Sequence, residues 1–254
     1  MKVTFLGTGT SQGVPVIGCD CEVCLSADPR DQRLRPALLL ETAGVRVVID
    51  CGPDFRQQMI RARVPGIDAI VITHEHNDHV IGLDDVRPFN FMQKKDMPVY
   101  ATRAVMKELQ NRFAYAFAAE RYPGSPMIQL VPIEKSSRFR IADLDFLPVE
   151  VLHGKMPVLG FRIGDFAYLT DMKTIAEEEL AKLSGVDTLV VNALHHTPHH
   201  SHLNLEDALA FIGEIRPRRA FLTHMSHRMG KHQEVSAQLP ANVQFAYDGL
   251  QLFW

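Results

Sequence analysis

Ala69-Ile70-Val71-Ile72-Thr73-His74-Glu75-His76-Asn77-Asp78-His79 decides how this chain of 254 residues is read. An apolar, β-branched run, the signature of a buried strand, passes without a break into three imidazoles and a carboxylate, all of them metal-binding groups. In an extended chain positions i and i+2 point the same way, so His74 and His76 are aimed together, and the turn that follows returns Asp78 and His79 toward them. A His-rich surface loop would lack the apolar strand that anchors this one at a sheet edge.

Three further donors close apolar runs in the same manner. His153 follows Phe146 to Leu152, Asp171 follows Tyr168-Leu169-Thr170, and His224 follows Phe221-Leu222-Thr223. In layered α/β proteins ligands collect in the crevice outside the carboxyl ends of strands, which is where all seven donors would sit. Five imidazoles and two carboxylates are too many for one four-coordinate zinc. Two ions about 3.5 to 4 Å apart, sharing a carboxylate and a water, use them all.

The rest of the chain supplies a frame for such a site. Apolar runs recur at Val3 to Leu6, Ala37 to Leu40, Val45 to Ile49, Val99 to Ala101, Phe166 to Leu169, Thr188 to Val191, Ala220 to Leu222 and Val243 to Ala246, and read as strands. Helical spacing covers Asp54 to Ala62, Arg103 to Ala119, Ile175 to Leu183, Leu205 to Glu214 and Lys231 to Leu239, with Thr174 and Asn204 as N-caps. Alternating strands and helices predict an α/β layer structure, and about ten strands predict two stacked sheets with helices outside. Residues 1–254 are read as one domain, with the least regular stretch, Val86 to Pro126, as a lid or a dimer contact.

Composition narrows the function classes. With 46% hydrophobic and 22% charged residues the chain is an ordinary globular sequence, which excludes disorder and fibres. Twenty-seven basic residues against 30 acidic ones give a net charge of -3, hence no general attraction for a nucleic-acid backbone or an anionic membrane. No apolar run reaches the 18 or so residues of a spanning helix, and a cytoplasmic location is expected. Three of the four cysteines, Cys19, Cys21 and Cys24, lie within six residues. A disulfide there would close too short a loop to stabilise much, whereas a tetrahedral zinc suits such thiolates. Three ligands leave the shell one short, to be filled by Cys51 or a distant histidine.

The spacing His74-x-His76-x-Asp78-His79, with His153, Asp171 and His224 downstream, resembles the metallo-β-lactamase superfamily across the whole chain. The resemblance implies a four-layer αββα sandwich, one metal held by His74, His76 and His153, a second by Asp78, His79 and His224, and Asp171 bridging. It also implies that Asp50, in Val47-Val48-Ile49-Asp50-Cys51-Gly52, orients the histidine loop from behind. The opening Phe5-Leu6-Gly7-Thr8-Gly9-Thr10-Ser11 resembles the phosphodiesterase branch. Gln12-Gly13-Val14-Pro15, the Cys19-x-Cys21-x-x-Cys24 turn and Leu222-Thr223-His224-Met225-Ser226-His227 are similar to its PhnP-like members. That similarity makes His227 the fourth ligand of a structural zinc, implies two catalytic divalent ions, zinc or manganese, and predicts hydrolysis of a small cyclic phosphodiester such as 5-phosphoribosyl 1,2-cyclic phosphate.

The leaving alkoxide in such a reaction needs a proton. His195-His196-Thr197-Pro198-His199-His200-Ser201-His202 supplies candidates, and alignment with PhnP-like proteins favours His200 over His202. Grip on a substrate phosphate is expected from His202, Arg228, Lys231 or Lys155. A tRNA 3′-processing enzyme is the competing reading, and it would need a basic exosite that the charge balance does not offer. Thioester hydrolases and β-lactamases share the histidine loop but not the phosphodiesterase-like start and cysteine turn, and a silent scaffold would not keep an intact donor set.

Overall fold

The computed structural model describes residues 1–254. β1 (Lys2–Gly7), β2 (Ala37–Thr42), β3 (Val45–Ile49), β4 (Ala69–Val71), β5 (Met97–Ala101) and β6 (Ile128–Pro132) lie side by side in that order as the first sheet. The chain then builds the second sheet from β7 (Phe139–Ile141), β8 (Leu144–His153), β9 (Met156–Ile163), β10 (Phe166–Leu169), β11 (Thr174–Ile175), β12 (Thr188–Asn192), β13 (Arg219–Thr223) and β14 (Val243–Phe245). Its order is β11-β8-β9-β10-β12-β13-β14, with β7 on β8. Finally β15 (Gln251–Phe253) returns to the first sheet beside β1.

Three separate apolar cores define four layers. Between the sheets, Phe5, Ile49, Val71, Phe161, Tyr168, Val190 and Phe221 interdigitate. Outside the first sheet, Val48 and Ile70 pack on α1 (Phe55–Arg61), α3 (Arg87–Gln93), α4 (Arg103–Arg112) and α5 (Ala114–Phe117). Outside the second, Leu189 and Leu222 pack on α7 (Leu205–Ile215) and α8 (His232–Ser236). The short α2 (Asn77–Val80) and α6 (Glu177–Leu180) follow β4 and β11. β3 shows the logic: Val47 and Ile49 enter the inner core while Val48 between them enters the outer one. A strand covered on both faces reads as an unbroken apolar run, the pattern that marks it in the sequence.

Strand polarity places the site. β3 to β6 are mutually parallel, as are β10, β12, β13 and β14. β8 runs with β10 because each is antiparallel to β9 between them. His153, Asp171 and His224 therefore leave the same end of the second sheet, opposite Asp50 and His74 at the end of the first.

Several local expectations need correction. Thr174 is not an N-cap but the first residue of β11, and α6 starts after Ala176. Asn204 does cap α7, its side chain accepting from the Asp207 N–H at 2.8 Å. The helix expected over Arg103 to Ala119 breaks at Phe113, whose φ of -110° and ψ of 37° lie outside the helical region. The stretch Val86 to Pro126 is part of the frame: β5 pairs on both sides within the first sheet, and Leu109, Phe113 and Ala116 are buried in its outer core. No helix is long and apolar enough to cross a membrane.

Candidate active site

Loop conformations at the strand ends turn the donors inward. Asp50, Asp171 and His224 have φ of 66°, 54° and 58°. This left-handed region is uncommon for non-glycine residues, though Asp and His are among those that tolerate it, and such strain clusters where the surroundings over-determine a geometry. Gly52 is required by close approach: a Cβ there would stand 2.0 Å from the carbonyl oxygen of Asp78. The Cys51 N–H also donates to the His79 carbonyl at 2.7 Å, so the loop after β3 is pressed onto the histidine turn.

Asp171 is the common member of the site. Its carboxylate converges with Asp78, His79 and His224, with His74 and His76, and with His153 and His202. Nε2 of His79 and of His224 lie 3.4 and 3.3 Å from its Oδ1, and Nε2 of His74 lies 3.8 Å from its Oδ2. Asp78 Oδ2 stands 3.3 Å from His79 Nε2 and 3.7 Å from His224 Nε2. The His76 and His153 rings are 5.1 Å apart by centroid. Burial pushes the Asp171 carboxyl up, but His224, His79 and His74 outweigh it and hold the group well below the usual carboxylate range. Burial likewise disfavours a charged His74 and pulls its protonation well below the ordinary value.

The outer nitrogens are fixed by the protein. His79 Nδ1 donates to Asp50 Oδ2 at 2.7 Å, His153 Nδ1 donates to the Ser201 carbonyl at 2.8 Å, and His74 Nδ1 meets Thr73 Oγ1 at 2.9 Å. Asp50, fully buried, also accepts from the Thr73 N–H at 2.9 Å and from the Thr73 hydroxyl. With the outer nitrogens engaged, Nε2 of His74 and His79 and both ring nitrogens of His224 are buried without hydrogen-bond partners. Unpartnered buried polar atoms are costly, and the three Nε2 atoms among them face carboxylates. Imidazole and carboxylate ligands about 2.0 to 2.2 Å from a tetrahedral zinc are separated by roughly 3.4 Å, the range of spacings found here. The donor set fits divalent cations.

A second centre lies at the cysteine turn. Sγ of Cys19, Cys21 and Cys24 stand 3.3, 3.4 and 3.5 Å from Nδ1 of His227. A zinc with sulfur at about 2.3 Å and nitrogen at about 2.0 Å sets that edge near ~3.5 Å. The Cys24 N–H, donating to Cys21 Sγ, and the His227 ring draw the Cys21 thiol down to about 6, whereas burial pushes Cys24 up to about 11. Cys51 is no part of this centre; it is buried in the outer core of the first sheet. The Gly9–Met225 bridge, with Thr10 N–H to Met225 O at 3.0 Å and Met225 N–H to Thr8 O at 3.0 Å, ties the N-terminal loop to the His224–His227 segment.

In the histidine-rich loop the structure separates two residues that the sequence left close. His202 is buried, with ring centroids 4.3 Å from His153 and 4.8 Å from His224. His200 is exposed, its ring tilted against His199 at 4.3 Å, and it is not brought to the donor cluster. His196 Nε2 donates to the Met229 carbonyl at 2.9 Å and has a structural contact. Lys231 is engaged by Glu22 at 2.9 Å and Glu234 at 3.5 Å, and Lys155 is exposed at the turn after His153. Arg228 has no acidic partner and lines a small cavity beside Ser226 and His195. One residue had no signal in the sequence: Arg112, at the end of α4, bonds the Glu75 carbonyl and, at 2.8 Å, Asn77 Oδ1, pinning the bend between His76 and Asp78.

Comparison with known proteins identifies the family. The family model of the beta-lactamase superfamily domain matches residues 45–225. A crystal structure described as a new diphosphatase from the PhnP family superposes with a TM-score of 0.93 at 40% identity, covering 99% of this chain and 96% of that one. An octanoyltransferase of Porphyromonas gingivalis is 43% identical over 253 residues, 99% of this chain, yet the chain spans only 51% of that relative. A ribonuclease Z of Bradyrhizobium diazoefficiens is 39% identical over 83 residues, covering 32% of this chain and 22% of the enzyme. Human tRNase Z, short form, shares the fold, with a TM-score of 0.72 at 20% identity. By family match, superposition and donor geometry together, the chain belongs to the beta-lactamase superfamily and, within it, to the PhnP family of metal-dependent hydrolases.

Proposed function

We propose that the protein hydrolyses a small phosphodiester to a monoester, with 5-phosphoribosyl 1,2-cyclic phosphate as the substrate its resemblance favours. The observation that carries this reading is the convergence of two donor groups on one shared carboxylate, Asp171, with a further buried imidazole, His202, beside them. His74, His76 and His153 would hold one divalent ion, zinc or manganese, and Asp78, His79 and His224 a second, with Asp171 common to both. Ions bound there supply hydroxide near neutral pH and offset charge on phosphoryl oxygens. Cys19, Cys21, Cys24 and His227 would hold a structural zinc.

The chain's own residues do the rest. Asp50, Thr73 and the Ser201 carbonyl fix the tautomers that leave His79, His74 and His153 with inward-facing Nε2 atoms. Burial and the neighbouring His224 pull His202 protonation down to about 2, so in the free enzyme it is neutral and offers one N–H to a phosphoryl oxygen. An anionic ester beside it would raise its proton affinity, so that it takes up a proton from solvent on its free ring nitrogen and passes one to the leaving oxygen. His202, rather than His200, therefore takes the acid role. The name of the PhnP-family relative, a diphosphatase, supports a phosphoryl group as the target. The ribonuclease Z reading is weaker, since the Bradyrhizobium match covers 32% of this chain and human tRNase Z, at 20% identity, shares the fold alone.

The test pairs elemental analysis with a panel of cyclic and linear diesters, monoesters, thioesters and lactams. Cleavage of diesters is expected, and activity confined to thioesters would reject the substrate class. His202→Ala should lower kcat about 10²- to 10⁴-fold with metal content retained, and His200→Ala should stay within a few-fold of wild type. Loss of metal from His202→Ala, or the reverse ranking of the two variants, would overturn the assignment.

A further inference from the structure

The outer face of the first sheet carries a cavity of about 420 Å³ under the turn that ends α1. It is remote from the donor cluster. Arg46, on its wall, stands at the start of β3 four residues before Asp50, so the strand alone puts about 13 Å between them. The floor is apolar: Leu6 and Leu39 belong to the outer core of the first sheet, and Val64 packs against that core. Alternation along β1 brings Thr4 to the same face as Leu6, and its hydroxyl, on a residue only 4% exposed, has no hydrogen-bond partner.

The rim is cationic. Lys2, Arg46, Arg61 and Arg63 line the cavity, and Glu41 is the one acidic residue that does. Glu41 takes Lys2 on one oxygen at 2.6 Å and Arg46 on the other at 3.3 Å, while Arg61 is matched by Asp248 at 3.3 Å. Arg46 reaches Glu41 through Nε and keeps both Nη groups free, and Arg63 makes neither an ion pair nor a side-chain hydrogen bond. Four cations against two carboxylates leave two positive charges, the counterpart of a phosphomonoester, which carries about -1.5 to -2 at neutral pH. On a convex surface such charges would be solvated one by one; a concave wall holds them around a common space, where their fields add. Guanidinium forks match phosphate oxygens, and the aliphatic floor below them matches a carbon skeleton.

We propose that this cavity binds a phosphorylated small molecule other than the substrate, with its phosphate between Arg63 and Arg46 and its carbon skeleton on Leu39 and Val64. The site shares no residue with the metal centre, so it stands or falls independently of the phosphodiesterase reading. Titration calorimetry on the metal-loaded protein tests it with inorganic phosphate, glycerol 3-phosphate, ribose 5-phosphate, glucose 6-phosphate and adenosine 5′-monophosphate. At least one ester should bind about tenfold or more weakly to Arg63→Gln than to wild type, because charge-assisted hydrogen bonds are lost. Arg63→Lys, which keeps the charge without the fork, should recover part of the loss. The same ester should raise the thermal midpoint of wild type more than that of Arg63→Gln, whereas without ligand the two should unfold together, since the Arg63 side chain bonds nothing in the fold. Arg140→Gln removes an exposed cation from β7 in the other sheet and should bind as wild type does. An ester held only at the metal centre is indifferent to Arg63. No Arg63-dependent binding anywhere in the panel, or an equal loss in Arg140→Gln, would overturn the site; inorganic phosphate bound as tightly as the best ester would overturn the contact with a carbon skeleton.

Discussion

Replacing Asp50 by Asn isolates what a residue without direct access to substrate contributes to metal binding. Asp50 is fully buried and its two oxygens accept from the Thr73 N–H, the Thr73 hydroxyl and His79 Nδ1, the last at 2.7 Å. Asn is nearly isosteric and, like Asp, tolerates the left-handed backbone at this position, where φ is 66°. The change is therefore confined to one acceptor becoming a donor. If the new NH₂ faces His79, the imidazole must move its proton to Nε2 and can no longer bind a cation through it; if it faces Thr73, the Thr73 N–H loses its acceptor while the hydroxyl keeps the remaining oxygen. Either way one charge-assisted hydrogen bond is forfeited, about 1.5 to 3 kcal/mol, equivalent to roughly 10- to 100-fold in metal affinity. Competition with a chromogenic chelator measures this, with circular dichroism confirming an intact fold and the cysteine-bound zinc serving as an internal reference. Unchanged affinity at the histidine–carboxylate site would refute the reasoning, because tautomer control by Asp50 would then be idle.

Other outcomes follow from the same geometry. Cys21→Ser should lower zinc content by one equivalent and reduce thermal stability, since structural zinc binding is itself folding free energy; an unchanged zinc count would dismiss the cysteine centre. Acid should also weaken the fold through His232, whose protonation is pulled down to about 4 by burial and by Arg33 beside it, its Nδ1 standing 3.3 Å from Arg33 Nη2. An imidazole that binds protons less readily folded than unfolded contributes full stability above about pH 6.5, and that contribution falls between pH 6.5 and 4 as the unfolded chain takes up the proton. Urea midpoints across this window should fall more steeply for wild type than for His232→Gln, and parallel curves would count against the assignment.

The legible part of this protein is the part encoded locally. The motif His74 to His79 and the donors at Asp171 and His224 each end an apolar run, so the sequence shows both the strand and what it delivers. Convergence of residues 19 and 227 has no local signature, and only resemblance proposed it. Strands at an edge are harder to see, since β6 carries Pro132 and β7 and β11 have three and two residues, and β9, although inside its sheet, opens on Met156-Pro157. Thr174 with Glu177 mimics a capping box because cap signals are short, and pairing with Leu152 in β8 overrides it. The choice between His200 and His202 depends on which side of a two-residue step faces His153, a matter of tertiary path that no periodicity records. Arg112 belongs to the same class, an exposed helical arginine whose role is visible only because α4 ends over the Glu75–Asn77 bend.

His74, His76, Asp78 and His79 hang from one half of the sandwich, His153, Asp171 and His224 from the other. The centre thus straddles a seam that the shared inner core already closes, and cations seated at its rim would act as rivets between the two slabs. A small parting of the slabs dissolves the constellation long before either slab loses its own hydrogen-bonded ladder. Function in this molecule is then the most delicate gauge of how firmly its halves are closed.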